Sequence, residues 1–229
     1  MVEHTLRAFD SDLAALKDQV ATLGRLALSE TEDATRALVT DNPDLARKVI
    51  DQDRNVDVLE VSLQETAIRL VALRQPVAED LRQAVAALKT AADLERCGDL
   101  AKNTAKRAVA LEGWQRPTSL MSAFESLDGL VRRRLSMVLQ AYAEDDLIKA
   151  DDVWAKDEEV DAAYEKLSHE IIGLMMSDPQ AVTAGSQLLF VAKNLERIGD
   201  HATNVAEIVH YRITGEQLTA RPKIETAGI

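Results

Sequence analysis

Cysteine occurs once in this 229-residue chain, at Cys97. A lone thiol excludes an internal disulfide framework and fits a reducing compartment such as the cytoplasm. Glycine (9) and proline (5) are also scarce. An all-β fold needs a turn about every ten residues, so that class is excluded. Aromatic residues reach only 3% while hydrophobic residues reach 46%, so the core must be aliphatic. No apolar run is as long as the roughly 18 residues of a membrane-spanning helix, so none is expected. The opening MVEHTLRAFDSDLAALKDQV lacks the basic-then-apolar pattern of a secretory signal. Basic side chains are outnumbered, 27 Lys and Arg against 39 Asp and Glu, for a net charge of −12 and a pI near 4.8. That balance repels phosphate backbones and argues against general nucleic-acid binding. Disorder is argued against by the abundance of Leu, Val and Ile beside a charged fraction of 29%.

What the chain does have is a helical period almost everywhere. Val20, Leu23, Leu26, Ala27, Glu30 and Ala34 recur at three- and four-residue steps, as do Val56, Leu59, Leu63, Leu70 and Leu73. Breakers are far apart. Asn42-Pro43, Arg74-Gln75-Pro76, Gly113 to Pro117, Ser177-Asp178-Pro179 and Thr214-Gly215 divide the chain. They predict helices over about residues 3–40, 44–74, 77–111, 118–143, 145–176 and 179–213. Short connections make neighbouring helices antiparallel. The expected fold is all-α: two tandem antiparallel three-helix bundles, over residues 1–112 and 113–215, with a loose tail over 216–229.

The two halves repeat one another. ADLERCGDLAKN (92–103) and KNLERIGDHATN (193–204) are identical at seven of twelve positions, 101 residues apart. One helix earlier, Asp53-Arg-Asn-Val-Asp57 aligns with Asp157-Glu-Glu-Val-Asp161. Helical composition alone would repeat Leu and Ala, not Glu, Gly, Asp and Asn at fixed spacing, so this is an internal duplication. Residues 1–112 carry 15 basic and 20 acidic side chains (net −5), and 113–229 carry 12 and 19 (net −7). The acidity is shared between the halves, as a duplication requires.

Part of that acidity lies in stripes. Glu95, Asp99 and Asn103 are four apart and stack on one helix face; Glu196, Asp200 and Asn204 do likewise. In the first half these carboxylates continue the apolar series Leu81, Val85, Leu88, Ala92, an unusual place for acids. Antiparallel docking can set Asp53/Asp57 opposite Glu95/Asp99, and Asp157/Asp161 opposite Glu196/Asp200. Glu60 extends the first pair. Carboxylates so placed need protons, Lys or Arg, or cations, and all-oxygen ligands suit Mg²⁺, Mn²⁺, Ca²⁺ or iron. Gly98 and Gly199 sit between the paired acids at about 1 kcal/mol relative to alanine, which implies close approach of a neighbouring helix or a bound ion.

Competing readings attach to the same residues. Four-spaced acids on a helix are common, and most such faces are merely solvated. Arg96 and Arg197 read as local ion-pair partners. His201 reads as a surface histidine or as support for the second site, with Asn103 and Asn204 supporting the ligands from behind. Glu207-Ile-Val-His210 is a single Glu-x-x-His element, where a di-iron bundle needs two. Cys97 faces an Ile198 counterpart and reads as a core filler. No nucleophile–base pair, Walker pattern or glycine-rich phosphate loop is present, so the chain reads as a non-enzyme.

Leu73-Arg-Gln-Pro-Val-Ala-Glu-Asp-Leu-Arg82, then Asp93-Leu-Glu-Arg-Cys-Gly-Asp99, and Asn194-Leu-Glu-Arg-Ile-Gly-Asp-His-Ala-Thr-Asn204 resemble the PhoU family over roughly residues 1–215. The resemblance implies a cytoplasmic negative regulator of phosphate uptake and of the phosphate-starvation response, recruited to the membrane's inner face through partners. It implies an adaptor, commonly a homodimer, between the ATPase subunit of the phosphate ABC transporter and a PhoR-type sensor histidine kinase. It also implies metal clusters, of Mg, Mn, Fe or Zn, on Asp53, Asp57, Glu95 and Asp99 and on Asp157, Asp161, Glu196 and Asp200. The alternatives are a metal-independent scaffold or chaperone-like adaptor whose acids meet basic partners, and a metal-dependent phosphohydrolase. Cys97 stands where the family usually has Ile, and Ser177-Asp178-Pro179 lacks the Arg-Gln-Pro form.

Overall fold

A computed structural model describes residues 2–218, with side chains described at residue 9 and from residue 11 onward. Most of the expected tail, residues 219–229, lies outside the described residues, while Leu218 rests against the core. Helix α1 is Val2–Val39, α2 Pro43–Gln52, α3 Arg54–Arg74, α4 Ala78–Ala110, α5 Thr118–Glu144, α6 Leu147–Ala155, α7 Glu158–Ser177 and α8 Val182–Thr214; a 3-10 turn over Pro179–Ala181 leads into α8. No strand occurs among the described residues. The first bundle packs α1, α2–α3 and α4 together, and the second packs α5, α6–α7 and α8.

The ends follow local chemistry. Asn42 caps α2 by accepting the Leu45 N–H at 3.0 Å, and Pro43 opens the helix where its missing N–H costs nothing. Gly215 closes α8 in the left-handed region (φ 79°). The link between bundles is tied down by Arg116, whose guanidinium donates to the carbonyls of Leu38, Leu111 and Trp114 and pairs with Asp41 at 2.8 Å.

The expected continuous helices over 44–74 and 145–176 are each broken in two. The first breaks at Asp53 and the second at Lys156–Asp157. Asp53 (φ −52°, ψ −27°) and Asp157 (φ −59°, ψ −38°) keep right-handed helical backbones, and Lys156 leaves the helical region (φ −104°, ψ 24°), so neither break opens into a loop. Both carboxylates are thereby driven inward, to 3% and 5% exposure. The apolar series resumes on the far side of each bend, so the pattern in the sequence does not register the break.

One contiguous aliphatic core runs through both bundles, from Leu23, Leu63 and Leu94 to Leu127, Leu167 and Leu195. α4 lies along α8 and α1 along α5, joining the bundles. Small buried residues, Ala91, Ala101 and Ala105 on α4 and Ala192, Ala202 and Ala206 on α8, keep these long helices slim. The glycines answer the close-approach expectation. A Cβ at Gly98 would stand 3.1 Å from Val56 Cγ1, and one at Gly199 would stand 3.0 Å from Val160 Cγ1. Val56 and Val160 are matching residues of the repeat, each three beyond the buried aspartate at the helix break.

Candidate metal centres

The breaks aim Asp53 and Asp157 at the acidic faces of α4 and α8. In the first bundle Asp53 meets Asp99 through a residue the sequence reading had not assigned. Lys102 Nζ lies 2.6 Å from Asp53 Oδ2 and 2.5 Å from Asp99 Oδ1. Arg96 adds contacts of 3.5 Å to Asp99 and to Glu95, as a local ion-pair partner. Burial works against ionisation of Asp99, but Lys102 outweighs it and holds the carboxyl below its ordinary range. Glu95 is raised by burial and by the charge of Asp99, with Glu60 adding to it.

A second unassigned residue lies behind this cluster. Glu30 of α1 is 4% exposed, and burial followed by repulsion from Asp53 raises its pKa to about 8, against the pull of Lys102, with Asp57 adding to the rise. Its Oε2 and the Oδ1 of Asp53 are buried without hydrogen-bond partners. Glu30 stands on the apolar face of α1, which was the signal available in the sequence.

In the second bundle one ligand oxygen each from Asp161, Glu196 and Asp200 can lie within 4.8 Å of the others. Lys193 Nζ pairs with Glu196 Oε1 at 2.5 Å, while Glu196 Oε2 is buried with no partner. Asp200 is raised by burial first and then by Glu196 and Asp157, with Asp161 contributing and Lys193 opposing. Asp157 is turned aside: Thr203 donates to its Oδ1 at 2.7 Å and Arg134 stands 3.6 Å from the same oxygen. Arg134 also donates to the carbonyls of Val153 (2.5 Å) and Lys156 at the end of α6.

Three hard oxygens from α7 and α8, one bearing an orphaned buried atom, fit a hard cation. Bound there, it would neutralise the repulsion and clamp α7 to α8. Asp161, Glu196 and Asp200 would hold it.

The other residues singled out earlier lie elsewhere. His201 Nδ1 contacts Asp93 Oδ1 at 2.8 Å, and Asn204 donates to the same oxygen at 3.1 Å, so both bridge α8 to α4 instead of backing the carboxylates. Asn103 is exposed. Glu207 accepts from Trp154 and His210 contacts Asp151, which ties that Glu-x-x-His element to α6. Cys97 is fully buried and its thiol is pushed up by burial, as a core filler.

The family model described as PhoU domain matches this chain twice, over residues 20–108 and 124–209. A phosphate-specific transport system accessory protein PhoU homolog of Caulobacter vibrioides is 47% identical over 226 residues, 98% of each chain. The Escherichia coli (strain K12) protein named phosphate-specific transport system accessory protein PhoU is 34% identical, covering 93% of this chain and 88% of its own. The crystal structure of PhoU from Pseudomonas aeruginosa superposes with a TM-score of 0.87 at 32% identity, over 91% of this chain and all of that one. The phosphate transport system regulatory protein PhoU from Streptococcus pneumoniae gives 0.85 at 31%, over 93% and 100%. A duplicated three-helix plan, matched in each half and along nearly its whole length, places the chain in the PhoU family.

Proposed function

We propose that this chain is an accessory regulator of a phosphate-specific transport system that restrains uptake and the starvation response when phosphate is plentiful. The supporting observation is its 47% identity, over 98% of both chains, to a phosphate-specific transport system accessory protein PhoU homolog. It acts as a non-enzymatic adaptor, and as a homodimer on the cytoplasmic side. One surface meets the ATPase subunit of the transporter and another meets a PhoR-type sensor kinase. The carboxylate sites serve that role by fixing helix geometry. A hard cation at Asp161, Glu196 and Asp200 holds α7 against α8, and the surface these helices present is what partners read. No helix among the described residues is long and apolar enough to cross a membrane, so membrane recruitment runs through the transporter.

The test is deletion of the gene followed by growth in abundant phosphate. Starvation-response reporters should be switched on, and the wild-type chain should restore repression and co-purify with the transporter ATPase. Unchanged reporters would overturn the regulatory role, and absence of any transporter or kinase complex would overturn the adaptor role. A metal-independent adaptor is favoured by one observation, the Lys102 bridge between Asp53 and Asp99, which holds α3 to α4 without a metal. It predicts partner binding that survives chelator.

A further inference from the structure

The two clusters share their acids but not their cations. The repeat aligns Lys102 of α4 with Thr203 of α8, by the same spacing that aligns Asp99 with Asp200. It aligns Glu30 of α1 with Arg134 of α5, by the spacing that aligns Asp53 with Asp157 and the buried Leu23 with Leu127. At these matched positions the positive charge comes from α4 in one half and from α5 in the other, while Lys193 of α8, opposite Ala92 in the repeat, adds a charge beside Glu196.

The positions of those charges differ in consequence. Lys102 Nζ is within 2.6 Å of Asp53 Oδ2 and 2.5 Å of Asp99 Oδ1. A hard metal joining α3 to α4 there would need the same oxygens at about 2.0–2.6 Å. The ammonium stands where that metal would stand, and the two exclude each other. Being tethered to α4, the ammonium is not lost when free cations become scarce. In the second half Thr203 is uncharged, and it and Arg134 both address Asp157. Asp161, Glu196 and Asp200 remain gathered; Lys193, about half exposed (47%), pairs with Glu196 Oε1 of its own helix, and Glu196 Oε2 stays buried and unpartnered.

We propose that Lys102 is the resident cation of the first carboxylate cluster, so that a hard divalent cation loads the second cluster alone. This rests on the metal reading of the second cluster given above and adds an asymmetry to it. The first bundle is locked by a covalently attached charge, and the second is locked only when a cation is supplied. Of the two, the α7–α8 face alone responds to cation supply.

The test is calorimetric titration of metal-free protein with Mn²⁺, alongside thermal melts in chelator. The unaltered chain should show one class of sites. Glu196→Gln/Asp200→Asn should weaken it at least about tenfold, while Glu95→Gln/Asp99→Asn should leave it within about twofold. Lys102→Thr should melt lower in chelator, gain a second class of sites and regain its melting temperature with Mn²⁺. Lys102→Gln serves if that variant does not fold. The reciprocal Thr203→Lys should lose Mn²⁺ binding. Wild-type binding that Glu95→Gln/Asp99→Asn weakens tenfold, or a Lys102 variant with unchanged stoichiometry, would overturn the assignment of Lys102 and leave the metal reading standing. No uptake by the unaltered chain with uptake by Lys102→Thr would overturn the metal reading and leave Lys102 as occupant. No uptake by any variant would overturn both.

Discussion

Glu30 shows how a single buried acid can couple this fold to pH. Unfolded, its carboxyl titrates near 4.5; folded, near 8. Between those values the folded chain holds a proton that the unfolded chain has released. The contribution to stability is fully present below pH 4.5 and is lost as pH rises through 8. Across that window it amounts to something on the order of 5 kcal/mol. Glu30→Gln mimics the protonated form. In metal-free buffer it should remove much of the decline in stability between pH 5 and pH 8, measured by urea denaturation against wild type; an equally steep decline in both chains would refute it. Gly199 makes a steric point at the same scale. Alanine is the better helix former by about 1 kcal/mol. A Cβ there would nonetheless meet three atoms of Val160 within 3.5 Å, and a β-branched side chain has little freedom to turn away. Gly199→Ala should lower stability by about 1–3 kcal/mol. Adding Val160→Ala should recover part of the loss, and strict additivity of the two losses would show that the contact is not the cause.

At the scale of elements, the breaks between α2 and α3 and between α6 and α7 decide the sites. A helix that ends inside a packed bundle leaves carbonyls to be satisfied. Arg134 does this for α6, through Val153 and Lys156, while also facing Asp157. Removing it strands those carbonyls and takes a positive charge from beside the buried Asp157. Arg134→Ala should therefore cost about 3–5 kcal/mol, read from denaturant midpoints. Loss of less than about 1 kcal/mol would mean that Thr203 and water suffice. The element boundaries near proline and glycine were legible in the sequence, because those residues act on their own backbone. The break at Asp53 was not, because no proline or glycine stands there and its backbone angles remain helical.

At the scale of the whole molecule, the continuous core means the bundles stabilise one another. α4 and α8 bury small-residue faces together, and Asp93 of α4 receives both His201 and Asn204 of α8. Neither bundle has its own closed surface. Calorimetric unfolding should show a single transition with equal calorimetric and van't Hoff enthalpies. Two resolved transitions would mean that the seam is a contact between independent domains.

The sequence by itself determined the helical class, the duplication and the acidic stripes. Each of these depends on spacing along one chain: a helix period, a fixed offset of about a hundred residues, and carboxylates one turn apart. Glu30 and Arg134 were visible as charged residues at matching places in an apolar series, but not their use. Only the tertiary structure decided which charges meet. Lys102 reaches Asp53 because α3 lies against α4, and Thr203 reaches Asp157 because α8 lies against the α6–α7 bend. Two motifs that share seven of twelve positions thus become different sites. The electrostatics of a carboxylate depend on what stands within a few ångströms in space, and the residues that stand there come from other helices.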